Sequence, residues 1–77
     1  MISREEIKEH IESVLLYMPY ETQNLLIHQP SRSPNYYAAF DREGYLVEQF
    51  VELDQLVNWL EQEGEIQSES FNGFAAE

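Results

Sequence analysis

Acidic residues far outnumber basic ones in this short chain, and the imbalance limits both its fold and its partners. The 77 residues include fifteen Asp and Glu but only four Lys and Arg, which gives a formal net charge of −11. By surface-to-volume scaling, a chain of this length buries only about 60% of the surface that its unfolded form exposes. We therefore expect one thin hydrophobic core, with no enclosed cofactor cavity, inside a strongly negative surface.

The hydrophobic content predicts that the chain folds in spite of its charge. Hydrophobic residues make up 43% of the sequence and aromatic residues 13%, which is more than in chains too polar to collapse. The absence of cysteine excludes disulfides and thiolate metal sites and fits a reducing compartment. The N-terminus does not resemble a secretory signal, and no run approaches the roughly 18 apolar residues of a membrane span. We expect a cytoplasmic protein that does not enter membranes.

The N-terminal segment carries a helix-start signal. Ser3 and Glu6 have the spacing of a capping box, so a helix is predicted to begin at Arg4 and to be ended by Pro19. Leu16 lies off the apolar stripe of this helix, so it either packs beneath the following loop or belongs to a contact surface, and we prefer the loop. The stripe itself, at the 3.6-residue period, consists of Ile7, Ile11, Val14, Leu15 and Met18.

Two interpretations are open for residues Thr22 to Gln29. The run Leu25 to Ile27 suits a buried strand, whereas Pro19 followed by Glu21 is also typical of the start of a short helix. We predict a strand. The next stretch, from Gln29 to Asn35, contains two prolines that cannot donate to a central ladder, so it is predicted to be a mobile loop.

A β-hairpin is predicted in the middle of the chain. The segments Tyr36 to Phe40 and Tyr45 to Val51 flank the tetrapeptide Asp41 to Gly44, which has the composition of a type I turn. We expect Phe40 to pair with Tyr45 across this turn. Neither face of the hairpin is clearly polar, so either both faces are partly covered or one apolar face is a docking surface.

The last predicted element is a helix from Leu53 to Glu63, with Gly64 as its C-terminal stop. The predicted fold class is therefore α+β: a small single domain, αβββα or αββα, with a central antiparallel hairpin or sheet and both helices packed on one face. We expect residues 1–64 to form this compact acidic domain and residues 65–77 to form a flexible acidic tail.

The chain lacks the residue combinations that catalytic sites and metal sites require. The two histidines, His10 and His28, belong to different predicted elements, and there is no thiolate to complete a metal site. The chain has no nucleophile elbow, and its three glycines are too scattered to form a phosphate-binding loop. We expect no cofactor and no enzymatic activity.

The net negative charge of the chain indicates which class of partner it binds. Double-stranded RNA modules with a similar order of elements need Lys and Arg clusters, so direct nucleic-acid binding is not expected. Carboxylates held on a rigid frame can instead imitate spaced phosphates and bind a basic, nucleic-acid-handling protein, as anti-CRISPR or anti-restriction inhibitors do. The simpler alternative is a solvated acidic surface without a cognate partner. The candidate partner-binding residues are Glu5, Glu9, Glu12, Tyr37, Asp41, Glu43, Glu48, Asp54, Trp59 and Glu61.

Two further interpretations stay open at this point. The chain could be an accessory subunit that docks through the apolar sheet face or through Phe71 and Phe74 of the tail. Self-association through Leu16 and the sheet face would make it a homodimer instead of a monomer.

Overall fold

The computed structural model describes residues 3–66, which form two helices and a four-stranded antiparallel sheet. This confirms the α+β class and the helix–sheet–helix order, with one or two strands more than predicted. The tail from residue 67 lies outside the described residues. The elements are α1 (Arg4–Leu15), β1 (Tyr20–Glu21), β2 (Leu25–Arg32), β3 (Asn35–Asp41), β4 (Leu46–Phe50) and α2 (Leu53–Gln62).

Helix α1 begins as predicted but ends early. The Ser3 hydroxyl accepts a hydrogen bond from the Glu6 N–H at 3.2 Å, and the Glu6 carboxylate accepts one from the Ser3 N–H at 3.0 Å, which completes the capping box. The helix ends at Leu15, well before Pro19. Met18 is 61% exposed, because the stripe ends with the helix, and Leu16 is 57% exposed, so the predicted packing of Met18 on the stripe and of Leu16 beneath the loop was wrong.

Strand β2 replaces the mobile loop that the prolines predicted. The strand interpretation of the ambiguous segment was right, but β2 continues through Pro30 to Arg32 and pairs with β3. Pro30 lies at a shift of register between His28 and Ser31, where the ladder does not need its missing N–H. The connection to β3 shrinks to two residues, Ser33 and Pro34, joined by a cis peptide bond.

The β3–β4 turn has the predicted type and a different register. The Gly44 N–H donates to the Asp41 carbonyl at 3.0 Å, and the Asp41 carboxylate accepts from the N–H groups of Glu43 and Tyr45, each at 2.9 Å. Gly44 has a φ of 94°, as expected where a type I turn is followed by a left-handed residue in a three-residue hairpin loop.

The predicted pairing of Phe40 with Tyr45 was wrong. Phe40 pairs with Leu46, while Ala39 pairs with Glu48, so Val47 is an extra residue in the edge strand. Such a bulge is common at sheet edges and cannot be read from alternation alone. Its consequence is that Leu46 joins the face of the sheet on which Phe40 lies.

Replacing Gly44 with Ala is expected to lower the free energy of unfolding by about 1 kcal/mol. An added Cβ would meet no atom within 4 Å, so the cost arises from the left-handed backbone and not from a clash. Urea unfolding measures it, and Glu43→Ala in the same turn is the control, because its backbone φ is negative. An unchanged midpoint for Gly44→Ala would contradict this assignment.

Both helices pack on one face of the sheet, as predicted. The inner face presents Leu25 and Ile27 of β2 together with Tyr37 and Ala39 of β3. The helices contribute the other buried residues of this core, namely Ile7, Ile11 and Leu15 from α1 and Leu56, Val57 and Leu60 from α2.

The ordered domain extends slightly beyond the predicted boundary at Gly64. That glycine has a φ of 76° after α2, and the following Glu65 N–H donates to the Leu60 carbonyl at 2.9 Å. Ile66 packs against the core. Glu65 and Ile66 therefore belong to the domain and not to the predicted tail, whereas the flexibility of residues 67–77 stays a prediction.

Candidate interaction surface

Two of the four basic side chains join α1 to α2. Arg4 lies 2.9 Å from the Glu61 carboxylate and donates to the Asn58 side-chain carbonyl at 2.6 Å. Lys8 Nζ lies 2.7 Å from the Asp54 carboxylate. This contact raises the pKa of Lys8 and lowers the pKa of Asp54, chiefly through the hydrogen bond between them. Both basic side chains of α1 therefore form ion pairs within the domain.

The other two basic side chains contact backbone carbonyls and one carboxylate. Arg32 donates to the Leu15 carbonyl at the end of α1, at 2.9 Å. Arg42 donates to the carbonyl of Thr22 and lies 3.0 Å from the Glu21 carboxylate. Every Lys and Arg of the chain therefore has a contact inside the domain, which leaves the outward carboxylates largely uncompensated.

Internal contacts also occupy five of the predicted partner-binding carboxylates, one of which is Glu48, whose carboxylate accepts from the Gln49 N–H at 3.1 Å. Glu61 and Asp54 hold α1 to α2, and Asp41 accepts the two turn hydrogen bonds. Glu5 lies 3.6 Å from Lys8. Within residues 3–66, the predicted carboxylates that are exposed and have no ion pair are Glu9, Glu12, Glu43 and Glu48.

The two predicted aromatic contact residues have different positions. Tyr37 is only 2% exposed and belongs to the core, so its ring is not a free contact side chain. Burial raises the pKa of its hydroxyl, the Glu12 carboxylate raises it further, and Arg32 acts in the opposite sense. Trp59 is half-buried, with its ring centroid 5.5 Å from that of Phe50. Neither ring stands free on the surface.

One depression, the acidic groove, runs between α1 and the β2–β3 hairpin. Its volume is about 550 Å³, and Glu9 and Glu12 of α1 lie along one side. Arg32 and Asn35 lie on the opposite side, and Tyr37 forms part of the floor. Two of the four unpaired carboxylates are thereby brought to one place.

A second depression, the apolar groove, lies on the outer face of the sheet. Its volume is about 680 Å³, and its floor includes Leu26, His28 and Phe40. The His28 and Phe40 rings meet edge to face, with centroids 5.2 Å apart. The segment Leu16–Pro19 forms a wall. Of the predicted hairpin, only Phe40 and Gly44 line this groove; β2 and the segment after α1 contribute most of its other residues.

The two grooves are continuous. Leu16, Gln29 and Arg32 line both of them, so the acidic and apolar surfaces share one rim. The part of this surface formed by residues 17–19 was not predicted. The available signal was Leu16, which lies off the helical stripe and for which packing beneath the loop was preferred over a contact surface.

Glu65, which was assigned to the tail, stabilises the loop before β2. Its carboxylate accepts from the Thr22 hydroxyl at 2.6 Å and from the Asn24 side chain at 2.9 Å. These hydrogen bonds, that from Asn24 most strongly, lower the pKa of Glu65 below its ordinary value of 4.5. A carboxylate whose pKa is lowered on folding contributes its full stabilisation at pH values above its ordinary pKa. That contribution is lost as the pH falls through the folded-state pKa.

The Glu65→Gln variant is therefore expected to have a lower urea midpoint than the parent near neutral pH. The difference between the two midpoints should become smaller on acidification from about pH 6 to about pH 3. Asn24→Ala should reduce the same pH dependence, because it removes the main cause of the shift. Urea midpoints at several pH values measure both effects. A gap that is constant with pH would contradict this role of Glu65.

Within residues 3–66, no three His, Asp or Glu side chains are grouped as they would be in a metal site. No helix in that part of the chain is both long and apolar enough to cross a membrane. Comparisons with protein-family models, with curated proteins and with solved structures gave no match.

Proposed function

We propose that this chain is a non-enzymatic, acidic, protein-binding domain that blocks or regulates a basic, nucleic-acid-handling partner in the cytoplasm. One observation carries the proposal. All four Lys and Arg side chains contact their own domain, so the net charge of −11 is not balanced by cations free to meet a partner. A small domain with such a charge produces a potential of several kT, which attracts cationic surfaces and repels polyanions.

The positions of the free carboxylates support a phosphate-mimicking role. Glu9 and Glu12 lie on α1, Glu43 in the β3–β4 turn and Glu48 on the edge strand β4, all exposed. A helix, a strand and a hydrogen-bonded turn hold their backbone positions, so the domain presents separated negative charges on a fixed frame. Such a frame could occupy the DNA or RNA groove of a basic protein, in the manner of anti-CRISPR or anti-restriction inhibitors.

The test is capture of the partner followed by competition. The immobilised domain is incubated with host extract at low and at high salt, and the captured protein is then challenged with duplex DNA. We expect a basic protein that is released by salt and by DNA, and whose own nucleic-acid binding is blocked by the free domain. A neutral or acidic captured protein, insensitive to both, would contradict the proposal.

Charge-neutralised variants provide the matched comparison. The pair Glu9→Gln and Glu12→Gln removes two carboxylates from the acidic groove, whereas Asp54→Asn removes one that is already paired with Lys8. The groove pair should weaken capture, and the Asp54 variant should weaken it less. Because the pair removes two charges and Asp54→Asn removes one, a loss of binding free energy for the pair that is no more than twice the loss for Asp54→Asn would mean that net charge alone governs binding.

The apolar groove favours a second candidate function, that of an accessory subunit that docks on a larger assembly through its outer sheet face. In the alternative form of that interpretation, Phe71 and Phe74 of the tail would dock instead. Deletion of residues 67–77 separates the possibilities. A phosphate mimic should keep its partner after the deletion, whereas a tail-docked subunit should lose it.

A further inference from the structure

We propose that the apolar groove and the acidic groove act as one binding surface, whose occupant is a basic amphipathic segment of a protein. This segment would carry one or two large apolar side chains with Lys or Arg beside them. The inference rests on the proposed function, because it names the site and the chemistry of the same cationic partner.

The apolar half of this surface is formed by residues that lie outside the hydrophobic core. Leu26, Phe40 and Leu46 form one cross-strand row on the outer face, opposite to the face that the helices cover. Leu16 and Met18 add exposed apolar surface at the side. Exposed apolar groups next to one another on a small domain are typical of a contact surface, whereas single ones are not.

The acidic half begins where the apolar half ends. Glu9 and Glu12 lie beyond the shared rim, at the side of α1. Arg32 is on that rim, but its guanidinium donates to the Leu15 carbonyl at 2.9 Å and is thereby directed toward the helix end. On the far side of the sheet face, Glu21 of β1 pairs across the strands with Leu26, but its carboxylate lies 3.0 Å from Arg42. The unpaired carboxylates next to the apolar groove are therefore those on its α1 side.

Charge complementarity selects the occupant. A second copy of the chain would bring another charge of −11 to the same surface, and nucleic acid or an anionic membrane would be repelled in the same way. A cationic segment gains from both halves: its apolar side chains leave water in the apolar groove, while its Lys or Arg side chains lie near Glu9 and Glu12. We therefore assign the surface to a protein segment of that composition.

Three synthetic peptides test this pairing of chemistries. The first carries a Leu-Phe pair flanked by lysines, the second has Ser-Ser in place of Leu-Phe, and the third has Gln in place of the lysines. Each is titrated into the ¹⁵N-labelled full chain. We expect the first peptide to bind at least about tenfold more tightly than either of the others. Amide shifts should be concentrated at Leu16–Met18, Leu26 and His28.

Variants at exposed positions locate the site without disturbing the core. Met18→Ser should weaken binding of the first peptide about fivefold or more. Val51→Ser is the control, because Val51 is equally exposed, at 61%, and lines neither groove. Glu12→Gln should weaken binding, with Glu63→Gln as the exposed control outside both grooves.

The outcomes separate the inference from the proposed function. If the first and second peptides bind equally tightly and salt releases both, the acidic surface attracts cations. The inference that the apolar groove takes part in the same binding surface is then wrong. Shifts confined to other parts of the domain, or a dimer formed through the outer face in sedimentation, would also overturn the inference. Loss of salt-sensitive binding by all lysine peptides would contradict the proposed function as well.

Discussion

Replacing Ile27 with Ala is expected to lower the free energy of unfolding by about 2–5 kcal/mol. Ile27 is 0% exposed at the centre of β2, where it pairs with Tyr20 on one side and Ala39 on the other. The truncation removes buried methyl groups and leaves a cavity between the sheet and both helices. In a domain of this size, a loss at the upper end of that range approaches the whole stability.

Urea unfolding followed by circular dichroism measures this change, with the slope of the transition as a check that both proteins unfold in the same way. Val51→Ala is the control, because Val51 is exposed and should change stability by only about 0.5 kcal/mol or less. If Ile27→Ala costs no more than Val51→Ala, the inner face of the sheet has been assigned to the wrong residues.

Arg4→Met is expected to cost about 2–3 kcal/mol, the second large effect. The Arg4 guanidinium donates to the side chains of Glu61 and Asn58 and to the Asp54 carbonyl, which together join the first turn of α1 to α2. Glu61 is only 14% exposed, and its second carboxylate oxygen is buried without a hydrogen-bond partner among residues 3–66. Without Arg4, this carboxylate would be left largely buried and unpaired.

A double-mutant cycle identifies the source of the loss. Glu61→Leu combined with Arg4→Met removes both charges, so the double variant should be more stable than Arg4→Met alone. Lys8→Met is the comparison at the neighbouring pair, whose carboxylate is more exposed, and it should cost less than Arg4→Met. Additive losses in the cycle would show that Arg4 and Glu61 act independently, contrary to the contact described.

Local signals predicted those parts of the fold that depend on local chemistry. The Ser3–Glu6 capping box and the Asp41–Gly44 turn are each made within a few residues, and both form as predicted. The course of β2 past Pro30 could not be read in the same way. Proline is tolerated there because the partner strand shifts register at that point, which is a property of two strands and not of one.

The interaction surface also depends on contacts between residues that are distant in sequence. Sequence alone gave the number of carboxylates, but it could not say that Arg4 would reach Glu61, 57 residues along the chain. Tyr37 was predicted to be a contact residue, but it lies on the inner face of β3 and is buried in the core. Glu9 and Glu12 could be predicted as surface charges because the helix period separates them from the apolar stripe.

All four basic side chains form contacts within the domain. Side chains such as Arg4 and Arg42 connect elements that are distant in sequence, by ion pairs with Glu61 and Glu21. The same contacts that hold the domain together therefore leave its exterior negative. In the function proposed above, the partner surface supplies the cations, and attraction of this kind acts mainly on the rate of association.

The most direct test is the association rate constant between this domain and its captured partner, measured by stopped-flow fluorescence across a range of ionic strength. We expect the rate to fall steeply as salt increases, and to fall less steeply for the Glu9→Gln, Glu12→Gln pair of substitutions. A rate that does not change with ionic strength, or that changes equally in parent and variant, would contradict a cationic partner guided by these outward carboxylates.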